Sequence, residues 1–108
     1  MKILITLKKN KEYRTVYSRG KSVADRHLVI YFLANNLEYC RFGFTVSKKV
    51  GNAVTRNRIR RLLKEACRLN SDRFPGGYDL VLVARRGIVG LEYKQVEDSL
   101  LKLLKKVF

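Results

Sequence analysis

The sequence lacks the residue sets on which most protein-borne catalytic and metal sites are built. Its 108 residues contain one histidine, His27, and two cysteines, Cys40 and Cys67, without the spacing of a metal site. A lone histidine with no nucleophile-elbow sequence does not complete a catalytic triad. The one acidic pair, Glu97-Asp98, joins neighbours that point to different faces of a helix, and no glycine-rich phosphate loop is present. The sequence therefore predicts no catalytic residue, no metal site and no cofactor bound by the protein itself.

Features of exported and membrane proteins are also missing. Residues 1–7 hold too few apolar residues for a signal peptide, and no small-residue cleavage site follows them. No apolar run approaches the ~18 residues of a membrane-spanning helix. With one proline and no tract rich in serine or glycine, nothing indicates a linker or a repeat. We therefore expect a single cytoplasmic domain, residues 1–108, with no membrane contact and with both cysteines as reduced packing residues.

The chain contains few acidic residues. Nine acidic residues stand against 24 lysines and arginines, which gives a formal net charge of +15. A charge of this size indicates the partners of a protein and not its fold. Nucleic acid, bound through its phosphates, is the usual partner of such a chain, and a membrane surface is the alternative.

The apolar pattern predicts helices and strands that alternate along the chain. We expect an N-terminal helix over residues 10–20, with Asn10 as its N-cap and Gly20 as its stop. Strands are indicated near residues 21–25 and over residues 27–34, 39–47 and 79–85. The second and third of these are expected to form an antiparallel pair, joined by a turn at Asn35-Asn36. Further helices are expected over residues 54–70 and 91–108.

This order, α-β-β-β-α-β-α, indicates an α/β (α+β) two-layer sandwich in which helices cover a single four-stranded mixed sheet. The helix over residues 54–70 is amphipathic. Its apolar stripe lies within about 120° of the helical wheel and consists of Ile59, Leu62, Leu63, Ala66 and Leu69. Asn57, Arg61, Lys64 and Arg68 lie opposite that stripe, Arg56 and Arg60 lie along one edge, and Arg58 lies along the other. Arginine offers a planar fork that grips phosphate oxygens with two bonds, so this basic face predicts phosphate binding, and Lys48 and Lys49 extend it.

Aromatic residues accompany the basic charge. Tyr13 and Tyr17 share one face of the first helix, and Tyr31 lies on the strand face opposite Ile30 and Phe32. Unpaired bases stack on such rings without a sequence code, although core packing would also explain them. Because no second helix directly precedes the basic helix, a helix-turn-helix reader of DNA is disfavoured and RNA is favoured.

The segment SKKVGNAVTRNRIRRLLKEACR, residues 47–68, resembles the protein subunit of bacterial ribonuclease P. The similarity extends to LKKNKEYRTVYSRGKSV, RFGFTVSKK and YDLVLVARRG, and so covers nearly the whole chain. The resemblance implies a left-handed βαβ crossover, a ribonuclease P RNA that carries the catalysis with magnesium bound mainly to the RNA, and no dedicated protein partner. It implies that the protein binds this RNA and the single-stranded 5′ leader of precursor tRNA.

The resemblance, together with the basic face to which Lys48, Lys49 and Arg68 belong, gives two sets of residues. The set expected to bind the RNA subunit is Lys48, Lys49, Arg56, Asn57, Arg58, Arg60, Arg61, Lys64 and Arg68. The set expected to form the leader-binding cleft is Tyr13, Tyr17, Tyr31, Thr45, Ser47, Arg56, Asn57 and Lys64. Two alternatives stay open: a ribosomal-type structural RNA binder, and a nuclease with its own active site.

Overall fold

The computed structural model describes residues 4–108, which form three α-helices around one four-stranded sheet. In chain order the elements are α1 (Asn10–Arg19), β1 (Lys21–Ala24), β2 (Leu28–Ala34), β3 (Arg41–Thr45), α2 (Ala53–Leu69), β4 (Tyr78–Ala84) and α3 (Tyr93–Val107). Short 3-10 turns follow α2 and β4, over Ser71–Arg73 and Arg86–Ile88. The predicted order of helices and strands is confirmed.

The helix ends follow from local hydrogen bonds. At α2, the Asn52 side chain accepts a hydrogen bond from the backbone N–H of Thr55 at 2.9 Å, which satisfies one of the free donors of the first turn. Asn10 does not cap α1 as predicted, because the helix already includes it. Instead the Glu12 carboxylate turns back and accepts from the backbone N–H groups of Lys8 and Lys9 at 3.0 and 2.9 Å.

The strand order in the sheet is β1-β2-β4-β3. β4 pairs antiparallel with β2 and parallel with β3. The predicted antiparallel pairing of β2 with β3 is therefore wrong, since β4 lies between them. The physical reason is burial: Leu80, Val81 and Leu82 of β4 are fully buried, and a strand that is apolar on both faces takes an interior position in a sheet.

The connection β3–α2–β4 joins two adjacent parallel strands through a helix, which makes it a βαβ crossover. Its left hand stays a prediction from the resemblance. Before α1, Leu7 donates its N–H to the carbonyl of Phe42, and Phe42 donates to the carbonyl of Ile5, both at 2.8 Å. The chain leading into α1 thus lies along the outer edge of β3.

Both faces of the sheet are covered. Leu28, Ile30, Leu80 and Leu82 belong to the main core, which includes the buried residues of α2 and α3. Val81 points to the other face, where Val16 of α1 is also fully buried. The predicted α+β fold with one four-stranded mixed sheet is confirmed, and α1 packs on the face that α2 and α3 leave open.

The apolar stripe of α2 is confirmed in part. Ile59, Leu63 and Ala66 are fully buried, but Leu69 is 43% exposed, contrary to prediction. Leu69 is the last residue of α2 and lies at the margin of the stripe, where the helix ends. Cys67 is buried beside the stripe, and this burial raises the pKa of its thiol, as expected for a packing cysteine.

One arginine ties three elements together. The Arg41 guanidinium on β3 donates to both carboxylate oxygens of Asp79 on β4, at 2.8 and 2.7 Å. Its third bond, at 2.9 Å, goes to Glu12 in the first turn of α1. Asp79 is only 6% exposed, so its charge depends on this pairing.

Replacing Asp79 by Asn should lower the free energy of unfolding by about 2–4 kcal/mol, because the substitution leaves the Arg41 guanidinium without its two-bonded partner. Urea unfolding followed by circular dichroism would measure the loss. Glu65→Gln is the matched control, since it removes an ion pair with Arg68 on the solvent-exposed side of α2 and should change stability little. Equal effects of the two substitutions would show that the Arg41 contacts do not stabilise the fold.

Candidate nucleic-acid interface

A cleft of about 650 Å³ lies where α1, β3 and α2 meet. We call it the tyrosine cleft. Its polar and charged lining consists mainly of Tyr13, Tyr17, Thr45, Lys8, Arg14 and Arg60, above an apolar floor of Leu7, Phe44 and Val46. The structure thus brings together Tyr13, Tyr17 and Thr45, as predicted for a cleft, and adds Arg60 to them.

Tyr13 reaches the cleft because β3 has no side chain beneath its ring. A Cβ atom on Gly43 would lie 2.6 Å from Tyr13 Cε2 and 2.7 Å from Cζ, well inside contact distance. The Tyr13 hydroxyl accepts a hydrogen bond of 3.4 Å from the backbone N–H of Phe44. The ring is therefore held flat against the strand.

Tyr17 lies one turn further along α1. Its hydroxyl and that of Thr45 form a hydrogen bond of 2.7 Å, and its ring packs at 83° against Tyr31 with 4.9 Å between ring centroids. Tyr31 is half-buried and does not line the cleft, so it supports Tyr17 from beneath. Tyr17 itself remains 37% exposed and offers a ring surface to solvent.

The tyrosine cleft is electropositive. Lys8, Arg14 and Arg60 line it, and none of the Asp or Glu residues in the part of the chain that the structure describes does so. Arg60 is held in place by bonds from its guanidinium to the carbonyl of Val46 at 3.4 Å and to Asn57 Oδ1 at 3.0 Å. Glu12, which precedes Tyr13, does not line the cleft, and its carboxylate is ionised and paired with Arg41 at 2.9 Å. Hydrogen bonds from the backbone of Lys9 and Lys8, with the charge of Arg41, hold its pKa below the ordinary value.

Lys8, Asn10 and Arg14 line the tyrosine cleft but were missing from the predicted site. Arg14 is evident in the sequence as a cation beside the tyrosines of α1. Lys8 and Asn10 precede or begin that helix, and their place depends on how the chain runs along β3. No local pattern shows that path before the fold is known.

The other side of α2 borders a second depression of about 590 Å³, which we call the α2–α3 groove. It is lined by Arg58, Arg61, Leu62, Lys64, Glu65, Arg68 and Tyr93. Arg58 donates to the carbonyl of Leu91 at 3.2 Å. Burial and the hydrogen bond to Glu97 raise the pKa of Tyr93 to about 12, which keeps this residue uncharged.

The structure corrects the predicted place of Lys64. Lys64 does not line the cleft with the tyrosines but lies in the α2–α3 groove with Arg61 and Arg68. It is one helical turn further along α2 than Arg60, which carries it about 6 Å away along the axis. Arg60 occupies the position in the cleft that the prediction gave to Lys64.

The remaining predicted residues surround the start of α2. Ser47, Lys48 and Lys49 lie in the exposed turn before the helix and line neither depression. Arg56 donates back to the carbonyl of Asn52 at 3.5 Å, and Asn57 reaches the cleft only through its bond to Arg60. The residues predicted to bind the RNA subunit therefore lie in three places: the tyrosine cleft, the α2–α3 groove, and the turn that leads into the start of α2.

His27 lies away from both surfaces, in a cluster that resembles a triad only in composition. Its Nδ1 is 2.6 Å from the Ser99 hydroxyl, which itself donates to Asp25 at 2.7 Å. Burial raises the pKa of Asp25, but hydrogen bonds from Ser99, Leu28 and His27 outweigh this and lower it. The buried Ser99 hydroxyl lies between His27 and Asp25 and donates its hydrogen bond to the carboxylate. The cluster therefore holds α3 to the turn between β1 and β2 and activates no nucleophile.

Within residues 4–108, no group of three or more His, Cys, Asp or Glu side chains is arranged to hold a metal ion. Over the same residues, no helix is both long and apolar enough to cross a membrane.

The fold and the interface define a small, strongly cationic α+β protein with a tyrosine-lined cleft beside a basic helix. Residues 1–107 match the family model described as Ribonuclease P. The chain belongs to the ribonuclease P protein family, which confirms the resemblance seen in the sequence.

Individual relatives agree. The ribonuclease P protein component of Pelotomaculum thermopropionicum is 63% identical over 106 residues, covering 98% of this chain and 95% of the relative. The RNase P protein of Staphylococcus aureus, solved at 2.0 Å, superposes with a TM-score of 0.86 at 34% identity, over 96% of this chain and 95% of that one. The RNase P protein of Thermotoga maritima gives a TM-score of 0.88 at 29% identity, over 95% and 97% of the two chains.

Gly43→Ala should displace the Tyr13 ring and lower the free energy of unfolding by about 1–3 kcal/mol, as overpacking does elsewhere. In a Tyr13→Ala background the same substitution should cost less, because the space above the strand is then free. Urea unfolding of the four proteins in this double-mutant cycle would give a coupling of about 0.5 kcal/mol or more. Strictly additive losses would mean that Tyr13 does not rest on Gly43 in solution.

Proposed function

We propose that this member of the ribonuclease P protein family binds the catalytic RNA of ribonuclease P and the single-stranded 5′ leader of precursor tRNA, and so assists endonucleolytic removal of the leader. The observation that carries the proposal is the tyrosine cleft, in which exposed aromatic surface and three cations meet without an acidic residue among those that the structure describes. Such a combination suits a flexible strand with unstacked bases and a charged backbone.

The leader is assigned to the tyrosine cleft on the chemistry of its lining. The exposed ring of Tyr17 offers a stacking surface, worth about 1–3 kcal/mol per base. Lys8, Arg14 and Arg60 surround the rings, within reach of the phosphates on either side of a stacked base. A duplex has no unstacked base to offer, so the cleft favours single-stranded over double-stranded RNA.

The RNA subunit is assigned to the basic surface on the other side of α2 and to the turn before it. The arginines of the α2–α3 groove, Arg58, Arg61 and Arg68, present guanidinium forks suited to phosphate pairs. Lys48 and Lys49 extend this surface past the start of α2. Because buried Ile59 and Leu63 fix α2 against the sheet, both RNAs would meet a rigid scaffold.

The role inferred for the protein is electrostatic and positional. Following the family resemblance, we infer that the chemistry resides in the RNA, that magnesium binds mainly to the RNA, and that the complex works in the cytoplasm with no dedicated protein partner. The protein would neutralise phosphates close to the cleavage site and hold the leader, which lowers the magnesium concentration that the RNA requires.

Cleavage of a precursor tRNA by a bacterial ribonuclease P RNA at low magnesium should be strongly stimulated by this protein, while the protein alone should cleave nothing. Gel analysis of the released leader would measure both. Cleavage by the protein without RNA would revive a nuclease with its own active site. RNA binding without stimulation would instead favour a structural RNA binder of the ribosomal type.

Arg60→Ala should weaken binding of leader-bearing precursor tRNA and lower its salt slope by roughly one unit, since one phosphate contact is lost. Fluorescence titration of the reconstituted holoenzyme between low and moderate salt would measure the slope. Arg73→Ala is the matched control, because Arg73 is an exposed arginine in the turn after α2 and lines neither RNA-facing depression. Equal changes of slope for the two variants would mean that only net charge matters.

A further inference from the structure

We propose that the α2–α3 groove holds an unstacked nucleobase of the RNA subunit on the apolar surface formed by Leu62 and Tyr93. This inference rests on the proposed function, which assigns the RNA subunit to the same surface but gives it phosphate contacts only. The groove shares no lining residue with the tyrosine cleft, so the base site is separate from the site proposed for the leader.

The α2–α3 groove has an apolar floor and a charged rim. Leu62 of α2 and Tyr93 of α3 are half-buried and pack against the main core. Arg61, Lys64 and Glu65 line the same groove but are exposed. The Leu62 side chain and the Tyr93 ring therefore lie deeper than these charges, and they offer uncharged surface to a group that enters between the two helices.

The Tyr93 side chain is anchored and uncharged. Its hydroxyl donates to Glu97 Oε2 at 2.9 Å, and the same oxygen accepts a hydrogen bond from the Asn70 side chain at 2.9 Å. Burial and the bond to Glu97 raise the pKa of Tyr93 to about 12. Because the hydroxyl is already bonded within the protein, the part of Tyr93 that remains for a ligand is its aromatic ring.

The cations at the rim are available to phosphates. Glu65 is the one acidic residue that lines the groove in the described part of the chain, and it is paired with Arg68 at 2.7 and 3.0 Å. Within residues 4–108, no carboxylate forms an ion pair with Arg61 or Lys64. The charges of Arg61 and Lys64 are therefore left for the phosphates on either side of a bound base.

A nucleotide with an unstacked base fits both parts of this groove. Phosphates gain charge-assisted bonds at the rim but nothing from the apolar floor, whereas a base is a flat aromatic group that stacks on a ring. The groove volume of about 590 Å³ falls within the roughly 300–1,000 Å³ of pockets that enclose a small ligand. Paired RNA keeps its bases stacked inside the helix, so the nucleotide that enters must come from an unpaired loop or bulge of the RNA subunit.

The chain contains no tryptophan, so Tyr93→Trp places a single fluorescent indole in the groove. A base stacked on this indole should quench its fluorescence when the full-length protein binds a bacterial ribonuclease P RNA. Inorganic polyphosphate, which carries charges but no bases, should bind without quenching. Sedimentation would establish in each case that the protein is bound.

Tyr39→Trp is the matched control, because Tyr39 is 46% exposed in the loop between β2 and β3 and lines neither the groove nor the cleft. Its fluorescence should not respond to either polyanion. Bound RNA that leaves the fluorescence of the Tyr93→Trp variant unchanged would overturn the inference. Equal quenching by polyphosphate would also overturn it, since the response would then report charge alone.

A second measurement separates the Tyr93 ring from its hydroxyl and from the charges of the groove. Tyr93→Leu keeps an apolar side chain and the net charge but removes the ring. Its affinity for the RNA subunit should fall by about fivefold or more, while the salt slope of binding stays the same. Tyr93→Phe keeps the ring and loses the bond to Glu97, so it should bind like the wild type. Unchanged affinity in Tyr93→Leu, or an equal loss in Tyr93→Phe, would contradict a base stacked on the ring.

Failure of the inference is distinguishable from failure of the proposed function. If the wild-type protein neither bound the RNA subunit nor stimulated cleavage of precursor tRNA, the proposed function itself would be wrong. If it did both, and the fluorescence of the Tyr93→Trp variant did not respond to the RNA, only the base site in the groove would be wrong.

Discussion

The contact between the Arg41 guanidinium and two carboxylates is the constraint on which the interface depends. Asp79 on β4 receives two bonds from this side chain and Glu12 on α1 receives one. β3 and β4 are already joined by their backbone, whereas α1 is linked to them only by side chains and by the segment before it. The third bond therefore fixes the first turn of α1 over β3, one residue away from Tyr13. With Gly43 leaving room beneath the ring, the same placement opens the tyrosine cleft.

Acidic residues are few, and those whose partners are evident serve the fold. Glu12 and Asp79 hold Arg41, and Asp25 holds Ser99 and the start of β2. Glu97 accepts from Asn70 and Tyr93, which joins the end of α2 to α3. None of these four carboxylates lines the tyrosine cleft or the α2–α3 groove. The excess of positive charge is thus concentrated where the fold does not need it, along α2 and around the tyrosine cleft, and it attracts a polyanion there.

The sequence predicts those features that are set by residues close together in the chain. The periodicity of Ile59 and Leu63 locates the buried side of α2, and the apolar run of β4 identifies an interior strand. The strand order depends on which strands pair in the middle of the sheet. That pairing is decided between segments that are far apart in sequence. The helical wheel likewise gives the angles of Lys64 and Leu69 but not how far along α2 the cleft and the buried core extend. The place of Lys8 beside the tyrosines depends on the path of the chain along β3.

Under the proposed function, the two kinds of contact in the cleft respond differently to the medium. Contacts of Lys8, Arg14 and Arg60 with phosphates weaken as salt rises, because bound counterions are no longer released at a gain. Stacking on Tyr17 involves no net charge and is nearly independent of salt. A cleft with cations alone would bind any single strand, whatever its bases. A cleft with aromatic rings alone would exert no long-range attraction on the RNA. The tyrosines and Arg14 lie on α1, and Arg60 lies on α2. The placement of α1 by Arg41 therefore determines whether stacking and phosphate binding act on the same stretch of a bound strand.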